Sequence, residues 1–157
     1  MASTGLPAQG SDSGDRTRAF RALAGYIFGA NEAKTKMSMT TPVFSRPEGG
    51  EGGASVMQFV LGEDAGTSAP APSDPGVRTV SRPGGVFAVK LFGGATGMQG
   101  AEARAQELQE AVRRDGLRVK DGEKWWLAQY NDPSTRDWQR RNEVMLELEA
   151  FDIWSQQ

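Results

Sequence analysis

The sequence predicts an α+β fold in which two helices pack on antiparallel sheet that closes toward a barrel in two repeated halves. Three observations predict it. Two segments, near 20–28 and 101–112, carry apolar residues at helical spacing. Several runs alternate with period two between turns rich in Gly and Pro. The order helix–strand–strand, strand–helix–strand–strand is a weak repeat of one unit, used twice, whose first copy lacks its opening strand. Closure hides strand edges, so a missing first strand leaves one edge open.

Taken in order, residues 1–14 are small, polar and aperiodic, and read as a disordered lead-in to a single domain over 15–154. Phe20, Leu23, Ala24, Ile27 and Phe28 form one stripe of a helix over about 16–28, with Asp15 as N-cap and Gly29 as the stop. Met37, Met39 and Thr41 alternate as on a half-buried strand, and Pro42 places that strand at an edge or bulge. Residues 48–53 can only be a hairpin loop, and 54–61 are the return strand. Residues 62–76, rich in Gly, Ala, Ser and Pro, read as a surface loop. A short strand at 77–80 and a strong one at 85–92 follow.

The second helix is expected from about Gly100 to Asp115, with Ala101, Ala105, Leu108 and Val112 inward, Glu110 and Arg114 as an i,i+4 pair, and Gly116 as terminator. In the strand at 124–130, Trp125 and Trp126 point to opposite faces, one core and the other surface or pocket. After a turn at 131–134, the strand at 142–148 points Val144, Leu146 and Leu148 one way and Glu143, Met145 and Glu147 the other. The carboxylates of Glu143, Glu147 and Glu149 are expected in water, and Arg140 and Arg141 are expected to pair with Asp137 or Glu143.

Composition excludes much chemistry. The 157 residues include no histidine and no cysteine, which removes Ser-His-Asp and Cys-His catalysis, zinc fingers, iron–sulfur sites, disulfides and histidine-ligated haem. Leu, Ile, Val and Phe total 28, under a fifth of the chain, which leans toward disorder, but a net charge of −2 and six Met, four Trp and two Tyr argue for a modest folded core. Residues 1–80 carry 7 basic and 8 acidic groups and residues 81–157 carry 11 and 12, so neither half makes a field for nucleic acid. No apolar run reaches the roughly 20 residues of a membrane span. Residues 1–4 have no hydrophobic signal region, so the expected compartment is the cytoplasm or a plastid; Asp12 and Asp15 count against an intact plastid address. The Gly-rich stretches at 49–53 and 93–97 lack the context of a phosphate loop.

Specific residues then carry a resemblance. Tyr26-Ile27-Phe28-Gly29-Ala30-Asn31, Met37-Ser38-Met39-Thr40-Thr41-Pro42-Val43, Phe59-Val60-Leu61, Val86-Phe87-Ala88-Val89 with Phe92-Gly93-Gly94-Ala95-Thr96, and Tyr130-Asn131-Asp132-Pro133 with Arg140-Arg141-Asn142-Glu143-Val144 resemble, in order and spacing over about 18–150, the SOUL haem-binding protein family. The resemblance implies a distorted eight-stranded barrel of two pseudo-symmetric halves, and binding of haem or a related tetrapyrrole in a shallow hydrophobic groove by the first helix. One branch of the family binds without an axial histidine, and a chain with no histidine belongs mechanistically with that branch. Members usually open with a strand of the Tyr-Glu-Val-Arg kind, which residues 1–14 lack. The chain is then a shortened member, or another molecule completes the barrel.

A porphyrin needs broad apolar surface, cationic partners for its propionates and, optionally, an axial ligand. Leu23, Ile27 and Phe28 offer the area, Arg18, Arg21, Lys34 and Lys36 the cations, and Tyr26, Met37 or Met39 a reach to iron. Core packing is the competing expectation for Leu23, Ile27, Met37 and Met39, and solvation for the cations. The expected site is therefore Arg21, Leu23, Tyr26, Ile27, Phe28, Lys34, Met37 and Met39, with haem or another tetrapyrrole loosely bound or absent. The expected function is non-enzymatic carriage or buffering. The alternative is an interaction or assembly scaffold that keeps the fold without the ligand and recruits a partner protein, or a second copy of itself, at the open edge.

Overall fold

The structure, a computed structural model, describes residues 1–6, 13–48, 54–65, 69–122 and 124–149. Helices α1 (Ser13–Ile27) and α2 (Met98–Arg114) accompany strands β1 (Ala2–Leu6), β2 (Met39–Glu48), β3 (Ala54–Leu61), β4 (Val77–Thr79), β5 (Val86–Gly93), β6 (Trp125–Gln129) and β7 (Arg141–Leu148). The strands form one antiparallel sheet in the order β4-β1-β3-β2-β6-β7-β5. The α+β class and the helix positions agree with the sequence pattern.

Both helices cover the same face. On β2, Ser45 lies opposite Met57 of β3 on one side and Leu127 of β6 on the other. Met57 packs in the α1 core with Leu23, Tyr26, Ile27 and Phe59, while Leu127 packs in the α2 core with Ala101, Ala105, Val144 and Leu146. The small inward residues of α2 let it approach closely, as its apolar stripe predicts, and Gly116 (φ +74) ends it in the left-handed conformation that favours glycine. At the start of α1, Arg16 donates a 2.8 Å hydrogen bond to Oε1 of Gln129, tying the helix to β6.

The expected missing first strand is present. Ala2–Leu6 pairs with both β3 and β4, Ala2 lying between Phe59 and Thr79 and fully buried. That part of the lead-in is therefore strand rather than disordered chain. Residues 7–12 fall outside the described residues, as do the hairpin-loop residues 49–53.

The sheet is barrel-like only loosely. Among the described residues it has seven strands rather than eight and is open, with β4 and β5 at its edges. Laid flat it would span about 29 Å, yet the chain from Thr79 to Val86 can reach at most about 25 Å. The sheet is therefore curled rather than flat, and the strap of residues 80–85 joins its two edge strands. Arg82 on that strap lies 3.9 Å from the centre of the Trp126 ring and 3.3 Å from Oε2 of Glu147, on the face away from the helices. Arg46 approaches the same ring at 4.9 Å and Phe44 meets it edge-on. Trp125 and Trp126 do face opposite ways, but both are only 6% exposed, because arginines cover the second indole.

Two of the expected solvated carboxylates are instead engaged. Glu143 is buried and accepts hydrogen bonds from the Tyr130 hydroxyl at 2.7 Å and Arg141 at 2.6 Å. Burial pushes its pKa up, but those two partners outweigh burial and hold it below the ordinary glutamate range. Glu147 is held low first by Lys120, at 2.8 Å, and also by Arg82. Both groups take up protons more readily when unfolded, so stability is present above the ordinary glutamate range and lost as pH falls through and below it. The expected outcome is a Tm that declines on acidification below about pH 4.5, with a shallower decline in the Glu147→Gln variant, read by circular dichroism.

Candidate functional site

The region around the end of α1 is held in one shape by its backbone. Phe28 N–H donates to Ala24 at 2.9 Å and Ala30 N–H to Gly25 at 2.8 Å, closing the helix through Gly29, whose φ of +114 favours glycine. Asn31, 2% exposed, then pins the loop. Its Nδ2 donates to the carbonyls of Tyr26 at 3.0 Å and Thr35 at 2.8 Å, and its Oδ1 accepts from Thr35 N–H at 3.1 Å. Met37 N–H donates to the Ile27 carbonyl at 2.7 Å, which returns the chain to the helix end.

Residues 70–73 contribute a second wall. The Tyr26 hydroxyl donates to the Pro70 carbonyl at 2.8 Å, Glu32 N–H to Ala71 at 2.9 Å and Ser73 N–H to Ala30 at 3.1 Å. The Gly- and Pro-rich segment is thus a bracket for the helix end. The bracket was not legible because it rests on contacts between segments some 40 residues apart; the role of Asn31 was not because its side chain bonds nearby backbone groups, and its place in a turn-forming string was the nearest signal. Asn31→Ala orphans three backbone partners of a buried side chain and should cost about 2–3 kcal/mol, seen as a lower Tm and faster amide exchange at Thr35.

The expected site residues divide cleanly. Leu23, Tyr26, Ile27 and Met37 are at most 5% exposed and belong to the α1 core. They support the surface from behind rather than lining it. Phe28 and Met39 stand 58% and 42% exposed, and Arg21 and Lys34 are also on the surface, as are Arg18 and Lys36. Arg21 and Phe28 are seven residues apart, so they share a helical face about 10 Å apart, with Gly25 between them. Gly25 keeps that strip shallow. Lys34, in the left-handed region at φ +50, and Lys36 flank it from the loop. The exposed members of the expected site are thus one large ring, one thioether and several cations.

Elsewhere, a depression of about 240 Å³ beside α2 is lined by Glu102, Gln106, Gln109, Glu110 and Arg113 with Trp125 beneath. Its amide and carboxylate walls suit no large apolar ligand. Among the described residues no three acidic groups gather to hold a metal ion, and no helix is long and apolar enough to cross a membrane.

Comparison with known proteins bears on the family and the fold. The family model described as SOUL heme-binding protein matches residues 1–147. Human heme-binding protein 2 is 30% identical over 148 residues, covering 92% of this chain and 71% of its own. Two solved structures share the fold: a hydrolase from Listeria innocua, with TM-score 0.65, 14% identity and coverage of 95% of this chain and 87% of that one, and an uncharacterized conserved protein from the same organism, with TM-score 0.63, 12% identity and coverage of 95% and 88%. At those identities the likeness is one of fold alone.

Proposed function

The chain belongs to the SOUL heme-binding protein family, and from that premise we propose that it binds haem or a related tetrapyrrole reversibly, as a carrier or buffer and not as an enzyme. The observation that carries this reading is the exposure of Phe28, just after α1, and of Met39, at the start of β2, together with that of the cations Arg21, Lys34 and Lys36. Phe28 and Met39 would hold a porphyrin by apolar contact, and Arg21, Lys34 and Lys36 would take its propionates. With no histidine to ligate it, haem would be held pentacoordinate or with no protein ligand on its iron, and apolar contact and charge would supply the affinity. That favours a Kd in the micromolar range or weaker, about −8 kcal/mol.

Charge reversal tests the propionate contacts. Exposed ion pairs contribute about 0.2–1 kcal/mol each, so Arg21→Glu combined with Lys34→Glu should raise the hemin Kd roughly five- to tenfold and flatten its salt dependence. An unchanged Kd would remove these cations from the site. The scaffold reading loses the observation that motivated it, because β1 fills the position expected to be vacant.

A further inference from the structure

We propose that the free edge of β5 is a self-pairing surface, through which two copies of this chain form a two-fold antiparallel dimer centred on Val89. This inference stands apart from tetrapyrrole binding. Strand β5 pairs with β7 along its whole length, Val86 to Gly93, and is the last strand of the sheet. Exposed strand edges are normally blunted by shortness, proline, bulges or charge. The opposite edge, β4, is three residues long. Strand β5 has eight residues and no proline, and its one charged residue, Lys90, faces α2, where it pairs with Glu107.

The apolar exposure of the molecule gathers here. Among the described residues six large apolar side chains are exposed, and Val86, Val89 and Leu91 lie on this strand at 48%, 46% and 60%. Trp138, 74% exposed, stands in the 3-10 turn Asp137–Gln139 just before β7, whose first residue Arg141 pairs with Gly93 at the end of β5.

The sequence of the strand is self-complementary in one register. A two-fold pairing that continues the sheet keeps each face with its like. Centred on Val89, it sets Val89 against Val89 and Phe87 against Leu91 of the second copy on the strapped face. On the helix-covered face it sets Val86 against Phe92 and Lys90 against Ala88. Every pair on the strapped face is apolar, and the two lysines are not opposed. Centred on Lys90 instead, the pairing would oppose like charges. Trp138 then lies near the arriving Val86 of the second copy. A pairing of eight residues is smaller than a standard interface of ~1,600 Å², so the dimer is expected at roughly tens of micromolar.

The chain has no cysteine, which makes a crosslinking test specific. Sedimentation velocity on the full chain without hemin should show the 16.9 kDa monomer at 1 μM and about twice that mass at 200 μM. Val89→Lys, at a side chain already half in water, should weaken the dimer at least tenfold while leaving the circular dichroism spectrum unchanged. Under mild oxidation Val89→Cys should give a covalent dimer at least tenfold faster than Lys124→Cys, an exposed control position. A monomer through 200 μM, a dimer indifferent to Val89→Lys, or equal crosslinking at the two positions would each overturn the proposal. Phe28→Glu should leave the dimer intact, which separates failure of this inference from failure of the tetrapyrrole reading.

Discussion

Replacing Ile27 with Glu is expected to unfold the protein or nearly so. Ile27 is 1% exposed in the α1 core, packed with Leu23, Tyr26, Met37 and Phe59. None of these can hydrogen-bond a carboxylate except through the Tyr26 hydroxyl, which is committed to Pro70. An uncompensated buried charge costs about 3–5 kcal/mol, and the lost Ile contacts add about 2–5 kcal/mol. Together these rival the whole stability of a domain, about 5–15 kcal/mol. Thermal unfolding by circular dichroism should show a Tm lower by more than about 10 °C, at about 2–4 °C per kcal/mol, or no cooperative transition. A Tm within 2–3 °C of the parent would mean that the α1 stripe does not form this core. The same substitution is for that reason a poor probe of ligand binding.

The informative ligand variant is Phe28→Glu with Met39→Glu. Both side chains are more than two-fifths exposed, so stability should shift by no more than about 1 kcal/mol in total. Binding should change far more. A fully covered Phe or Met contributes about 1.5–3 kcal/mol through burial, half of which is available to a ligand on an open surface, and two carboxylates repel propionates. A hemin affinity lowered at least thirtyfold, with an unchanged Tm, is the expected result. An equal affinity would place the porphyrin elsewhere on the chain.

These two variants mark what could and could not be read in the residues. The stripe Phe20, Leu23, Ala24, Ile27 and Phe28 announces α1 through spacing alone, yet spacing does not say where a stripe ends and solvent begins. Ile27 and Phe28 are adjacent; one is core and the other surface, because successive helical positions point about 100° apart and Met37 returns to bond the Ile27 carbonyl. Strand β7 was legible down to its inward residues, since Val144, Leu146 and Leu148 alternate under a single helix. The burial of Glu143 was not, because it depends on Tyr130 and Arg141 converging from either side. Strand β1 left no pattern to read: Ala2–Leu6 is a strand because β3 and β4 leave a gap between them, not because its residues favour extended structure. The strap at 80–85 is legible only once the strand order is known, since its curling effect comes from joining the two edges of the sheet.

The most direct test of the central claim is a titration of the purified chain with hemin followed in the Soret band. The expected result is a saturable shift with a Kd of roughly 1–10 μM, at one site per chain, and with no spectral signature of histidine ligation. A response that stays linear through tens of micromolar, as for free hemin, would contradict it.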